Sequence, residues 1–73
     1  MPTQIVMDHS GDSRHPFDAA EAEAVAKAER RFKELTNAGF LAAARTADGE
    51  SRRIKQFDPT IEETLFFPRL VGG

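Results

Sequence analysis

Glu63-Thr64-Leu65-Phe66-Phe67-Pro68-Arg69-Leu70-Val71-Gly72-Gly73 is the stretch on which the reading of this 73-residue chain turns. Thr-Leu-Phe-Phe suits a pleated surface that is buried or half buried, so a strand is expected there. Pro68 has no N–H to donate, and pairing should stop at it or continue only along an edge. Arg69, Leu70 and Val71 have no evident structural partner, and Gly72 and Gly73 bring nearly free backbone dihedrals. The stretch reads as a strand that runs out into a slim, flexible arm. Such an arm can be threaded through a narrow channel into another protein's active site, where a terminal carboxylate can be activated. Residues 1–67 are accordingly expected to form the domain and residues 68–73 the tail.

Composition bounds the rest. A chain of this length makes one small domain, whose core supplies only a few kcal/mol net. Without cysteine there is no disulfide, no thiolate zinc site and no thiol nucleophile, which fits a reducing compartment. The start, Met1 to Asp8, has no basic flank and too short an apolar run for a signal peptide. No stretch approaches 18 apolar residues. A cytoplasmic, soluble protein is the expectation. The net charge of −2 argues against a nucleic-acid binder. Seven bases and three acids fall within residues 30–57, between two segments that are net acidic. Mixed surface charge accounts for this, and a basic face that steers an acidic partner is the alternative.

Backwards from the tail, Asp58-Pro59-Thr60 starts a turn, and Ile61-Glu62-Glu63 suits a single helical turn before the last strand. Ser51 to Phe57 reads as a polar edge strand with Ile54 as its inward anchor. Its charges Arg52, Arg53 and Lys55 discourage edge-to-edge aggregation. Asp48-Gly49 is a strong hairpin signal joining it to a strand from Phe40 to Arg45. Asp18 to about Leu35 is expected to be a helix, with Asp18 as N-cap and Glu21 completing a capping-box pattern. Ala22, Val25, Ala28, Phe32 and Leu35 make a thin apolar stripe, rich in alanine, which implies close packing against a sheet. Asn37 and Gly39 offer a left-handed C-cap. At the start, Thr3 to His9 reads as a strand, Ser10-Gly11-Asp12-Ser13 as a turn and Arg14 to Phe17 as a returning strand. Ile5 and Met7 are taken as its core face, which leaves Val6, and likewise Phe66, pointing away from the core as an exposed apolar pair.

Strands grouped around one helix define an α+β domain with a mixed four- to five-stranded sheet packed on one main helix. This order resembles the β-grasp fold of ubiquitin and of bacterial sulfur-carrier proteins. Gln4-Ile5-Val6 followed by a Ser-Gly turn is similar to the first hairpin of ubiquitin. Phe57 to Leu65 resembles the turn and start of its last strand. Leu65-Phe66-Phe67-Pro68 before Gly72-Gly73 is similar to the tail of the molybdopterin synthase small subunit, where a Phe-Phe-Pro-Pro run precedes the glycines. Here Arg69 stands in place of the second proline, and residues 18–56 match no branch closely.

The resemblance implies that chemistry falls on Gly73, with Gly72 beside it. A partner adenylating enzyme would use ATP and magnesium, and the chain itself would bind no cofactor. The acyl group would then pass through a conjugating enzyme to target proteins, with a deconjugating protease as a further partner, or become a thiocarboxylate that donates sulfur. Pro68, Arg69, Leu70 and Val71 would be read by those enzymes, and Val6 with Phe66 would form a partner surface. On this reading the protein is a ubiquitin-like modifier and a substrate, not an enzyme. The alternatives are a sulfur carrier and a small interaction module that binds without covalent chemistry. Asp8, His9, Asp12 and His15 lie close together in sequence, but their spacing matches no specific metal site, and none is assigned.

Overall fold

The computed structural model describes residues 1–69. It contains β1 (Thr3–Asp8), β2 (Gly11–Pro16), α1 (Ala22–Asn37), β3 (Phe40–Arg45), β4 (Ser51–Ile54) and β5 (Glu63–Pro68). The strands form one mixed sheet in the order β2-β1-β5-β3-β4. β5 lies at its centre, parallel to β1 and antiparallel to β3. The two hairpins β1–β2 and β3–β4 flank it, each antiparallel. The chain is thus a small α+β domain with a five-stranded sheet packed against one helix. No helix among the described residues is long and apolar enough to cross a membrane.

The helix covers one face of the sheet. Val6, Phe32, Ala42 and Phe66 form the core, with Leu35, Phe40, Ile54 and Phe57 packed against it. Phe66 is fully buried and Val6 is 9% exposed. This corrects the facing expected for β1 and β5: Val6 and Phe66 are neighbours, as register partners across the parallel ladder, but they look into the core. They form no exposed pair. In β5 both phases carry apolar residues, while in β1 the alternation favours Ile5 and Met7 over Gln4, Val6 and Asp8, so period-two alternation alone points to the wrong face. Gln4 misled the choice, because it is polar yet fully buried on the helix side.

Gln4 is accommodated because both ends of its amide are bonded. Nε2 donates to the Ala28 carbonyl at 2.9 Å, and Oε1 accepts from Arg31 Nη1 at 3.1 Å. A buried amide is tolerated only on such terms. Four phenylalanines continue the core towards β4. Phe17 stacks near Phe57 (6.1 Å), Phe57 meets Phe32 edge-on (6.1 Å), and Phe32 meets Phe66 edge-on (5.6 Å). These separations lie in the favourable range for aromatic pairs. On the helix, Ala28 and Phe32 are buried, Val25 and Leu35 partly so, and Ala22 is exposed. Small side chains at Ala28 and Ala42 let helix and sheet approach closely.

Local chemistry moved several boundaries. The helix starts four residues after Asp18, with Glu21 at the N-cap and no side-chain capping bond. Asp18 instead closes a turn of its own: its Oδ1 accepts from the Ala20 N–H and its carbonyl from the Glu21 N–H. A short acidic side chain competes for backbone donors in this way. The first hairpin turns at His9-Ser10, earlier than expected, because Asp8 Oδ1 accepts from both the Ser10 N–H and hydroxyl. β2 therefore begins at Gly11 (φ +124°). The helix ends on Ala38 in the right-handed region, and Gly39 (φ +102°) takes the left-handed position. β4 stops at Ile54, three residues before the expected end, and the chain bends so that Phe57 reaches Phe17 and Phe32. Residues 61–62 form no helical turn.

Candidate functional site

β5 carries the stretch singled out above. It is held on both sides, by β1 up to Val6↔Phe66 and by β3 up to Phe40↔Pro68. Pro68 is the last strand residue, as its missing N–H predicts. Arg69 follows, exposed, as the last described residue. Leu70, Val71, Gly72 and Gly73 lie outside the described residues. A central strand is thus the anchor from which the chain continues past Pro68. That end of the sheet also carries the His9-Ser10 turn and the helix C-terminus, since β1 is parallel to β5 and β3 begins at Phe40.

The face of the sheet away from the helix is the second candidate. Ladder register and the two-residue alternation of strands arrange it in rows. One row runs Arg14, Ile5, Leu65, Ala43, Arg53 across all five strands. Next to it, on the tail side, Asp12 is paired with Met7, and Phe67 with Leu41. On the other side run Pro16, Thr3, Glu63, Arg45 and Ser51. Ile5 and Ala43 are buried by their neighbours, while Met7, Leu41, Leu65 and Phe67 are half buried. The result is an apolar strip with no helix over it and an arginine at each end. Arg45 approaches Glu63 at 4.0 Å, the one ion pair among the described residues, and among those residues Arg14 and Arg53 form none. The sequence alone puts Ile5 and Met7 of this face in the core; the signal for an apolar open face is that both phases of β5 carry apolar residues.

The polar residues of the first hairpin do not converge. Ladder register puts Asp12 on the open face and His15 on the helix face. The Asp8 carboxyl is held below its ordinary range by its hydrogen bonds to Ser10. His15 Nε2 lies 3.3 Å from Ser13 Oγ. Burial, and then the Arg31 charge, hold the His15 imidazole below its usual pKa and favour its neutral form. Among the described residues no group of three or more His, Cys, Asp or Glu is placed to hold a metal ion. A surface depression of about 490 Å³ lined by Met1, Thr3, Arg45, Glu62 and Glu63 sits at the end of the sheet away from Pro68.

Comparison of the chain with models of known protein families, with curated proteins and with solved structures finds no match in any of the three. The fold and site define a small α+β domain that presents an apolar open sheet face and a central strand leading into Arg69.

Proposed function

We propose that the domain is a β-grasp protein of the ubiquitin-like kind, and that it is a protein modifier activated at Gly73. The observation that carries the reading is the position of β5. A central strand, parallel to the first and clamped by two hairpins, ends at Pro68 and passes to an exposed Arg69 at one end of the sheet, and the sequence continues Leu70-Val71-Gly72-Gly73. An adenylating enzyme would join the Gly73 carboxylate to the α-phosphate of ATP, releasing pyrophosphate. A thiol of a partner enzyme would then attack the acyl carbon and release AMP, and a target amine or hydroxyl would displace the thiol. Each attack needs an uncrowded carbonyl, and a terminal glycine offers one. The domain supplies no general acid or base to these steps; it is the substrate carried through them. Pro68 and Arg69 to Val71 would be the segment read by the enzymes.

A conjugation assay tests the reading. The full chain is incubated with host lysate, ATP and magnesium beside a variant lacking Gly72 and Gly73. Higher-mass conjugates that need ATP and both glycines support it. Identical patterns from the two proteins contradict it.

The open sheet face favours a second reading, a non-covalent interaction module. Leu65 and Phe67 are half exposed between Arg14 and Arg53, which suits a partner with apolar anchors and an acidic rim. On that reading Leu65→Ser abolishes partner capture while removal of Gly72 and Gly73 leaves it unchanged.

A further inference from the structure

The two edges of the sheet differ in a way that concerns a second copy of this chain. Hydrogen-bonded and non-bonded pairs alternate along an antiparallel ladder. Phe17 N–H donates to the Pro2 carbonyl at 2.9 Å, which fixes the phase of β2. In that phase the N–H and C=O groups of Asp12 and Arg14 point outward from the sheet. Pro16, the next outward position, has no N–H to offer. Along β4 the phase is set by Thr46 N–H donating to the Glu50 carbonyl at 2.8 Å, so Ser51 and Arg53 point outward.

We propose that β2 pairs antiparallel with β2 of a second copy, about a two-fold axis through Ser13. Ser13 then faces Ser13 of the other copy, and Asp12 faces Arg14 on both sides of the axis. Asp12 and Arg14 are outward-bonding residues, so each Asp12–Arg14 pair exchanges two main-chain hydrogen bonds. Their side chains lie together on the open face, since each is paired with a residue of that face, Met7 and Ile5. Two ion pairs form across the junction, related by symmetry. Gly11 faces His15 and leaves room for the imidazole. The neighbouring registers with the same bonding phase put Asp12 against Asp12 or Arg14 against Arg14, so the charges select one register.

The other edge disfavours the same arrangement. The two registers that bring the body of β4 against its own copy place Arg52 opposite Arg52 or Arg53 opposite Arg53. Like charges in such positions protect an edge from pairing. The two-fold contact is self-complementary and closed, so it gives a dimer and not a fibre. Its sheet is continuous over ten strands, with the two apolar open faces side by side. The contact is a short strand edge, which makes it a weak association. It requires no chemistry at the chain terminus and stands or falls apart from the modifier reading.

The test is sedimentation and amide NMR of the full chain over a concentration series reaching about 1 mM. Dimer formation with concentration-dependent shifts at the Asp12 and Arg14 amides, and none at Ser51 or Arg53, is expected. Asp12→Arg and Arg14→Asp each set like charges opposite one another at both junction pairs and weaken the dimer at least about five-fold. Both residues are exposed, and two further arms guard against a folding defect. An equimolar mixture of the two single variants restores opposite charges and regains the dimer as a heterodimer, and the double swap D12R/R14D regains it alone. A monomer throughout the series overturns the proposal. So does a dimer indifferent to both single variants, or one strengthened by Arg14→Asp, which would indicate β2 docking on the arginines of β4.

Discussion

Val6 and Phe66 sit opposite each other across the parallel β1–β5 ladder, and both face the helix. This one pair fixes which side of the sheet is core and which is free. Phe66 meets Phe32 edge-on at 5.6 Å and has no solvent exposure. Phe66→Ala should therefore cost about 3–5 kcal/mol, much of the stability of so small a domain. Its sequence neighbour Phe67, half buried on the open face, should cost only about 1 kcal/mol on the same change. Urea unfolding of the two variants checks the facing: equal losses, or a larger loss at Phe67, would reverse it.

Gln4 and Arg31 test whether the buried amide is held as described. Arg31→Met leaves Gln4 Oε1 without its donor and should cost about 1–3 kcal/mol. Gln4→Met removes the amide that Arg31 serves, so the double variant should lose less than the sum of the two single ones. Denaturation across the full cycle measures that coupling. Strict additivity would mean that the 3.1 Å contact contributes nothing.

Acid should act in two stages. His15 has its pKa lowered from 6.5, chiefly by burial and then by the Arg31 charge. Because the folded state resists protonation, stability is full above that ordinary value and falls as pH drops from 6.5 through the lower folded pKa. Asp8, Asp48 and Asp58 are lowered from 3.8, mainly by side-chain hydrogen bonds from Ser10, Thr46 and Thr60. Their contribution is present above 3.8 and is lost as pH falls through their folded values. Thermal unfolding across pH should show both stages in the native chain. His15→Gln should remove the upper stage and leave the lower; an unchanged upper stage would assign it to another group.

The element order was legible because several signals were local and strong. The alanine-rich helix, the Asp48-Gly49 hairpin (Gly49 φ +86°) and the strand from Phe40 to Arg45 all lie where their residues indicate. Pro68 ends its strand for the stated reason. What the sequence hid were tertiary choices. Ile5 and Val6 are both buried, on opposite faces, and Gln4 and Asp8 make the phase that holds Val6 look like the outer one. Gln4 looks like a surface residue until Ala28 and Arg31 are placed around its amide. Asp18 resembles a helix cap, yet it lies four residues before the helix begins and its carboxylate accepts from the Ala20 N–H. The open face was missed for the first of these reasons, and with it the row Arg14-Ile5-Leu65-Ala43-Arg53.

Activation of Gly73 is the centre of the functional account, and intact-mass spectrometry reads it most directly. The full chain is recovered from host lysate supplied with ATP and magnesium, and its mass and terminal peptide are compared with the untreated protein. The expected result is an ATP-dependent covalent adduct whose linkage maps to the Gly73 carbonyl. A gain equal to the replacement of one oxygen by sulfur would instead make the chain a sulfur carrier. An unmodified Gly73 carboxylate, in lysate that remains competent to adenylate, would contradict activation altogether.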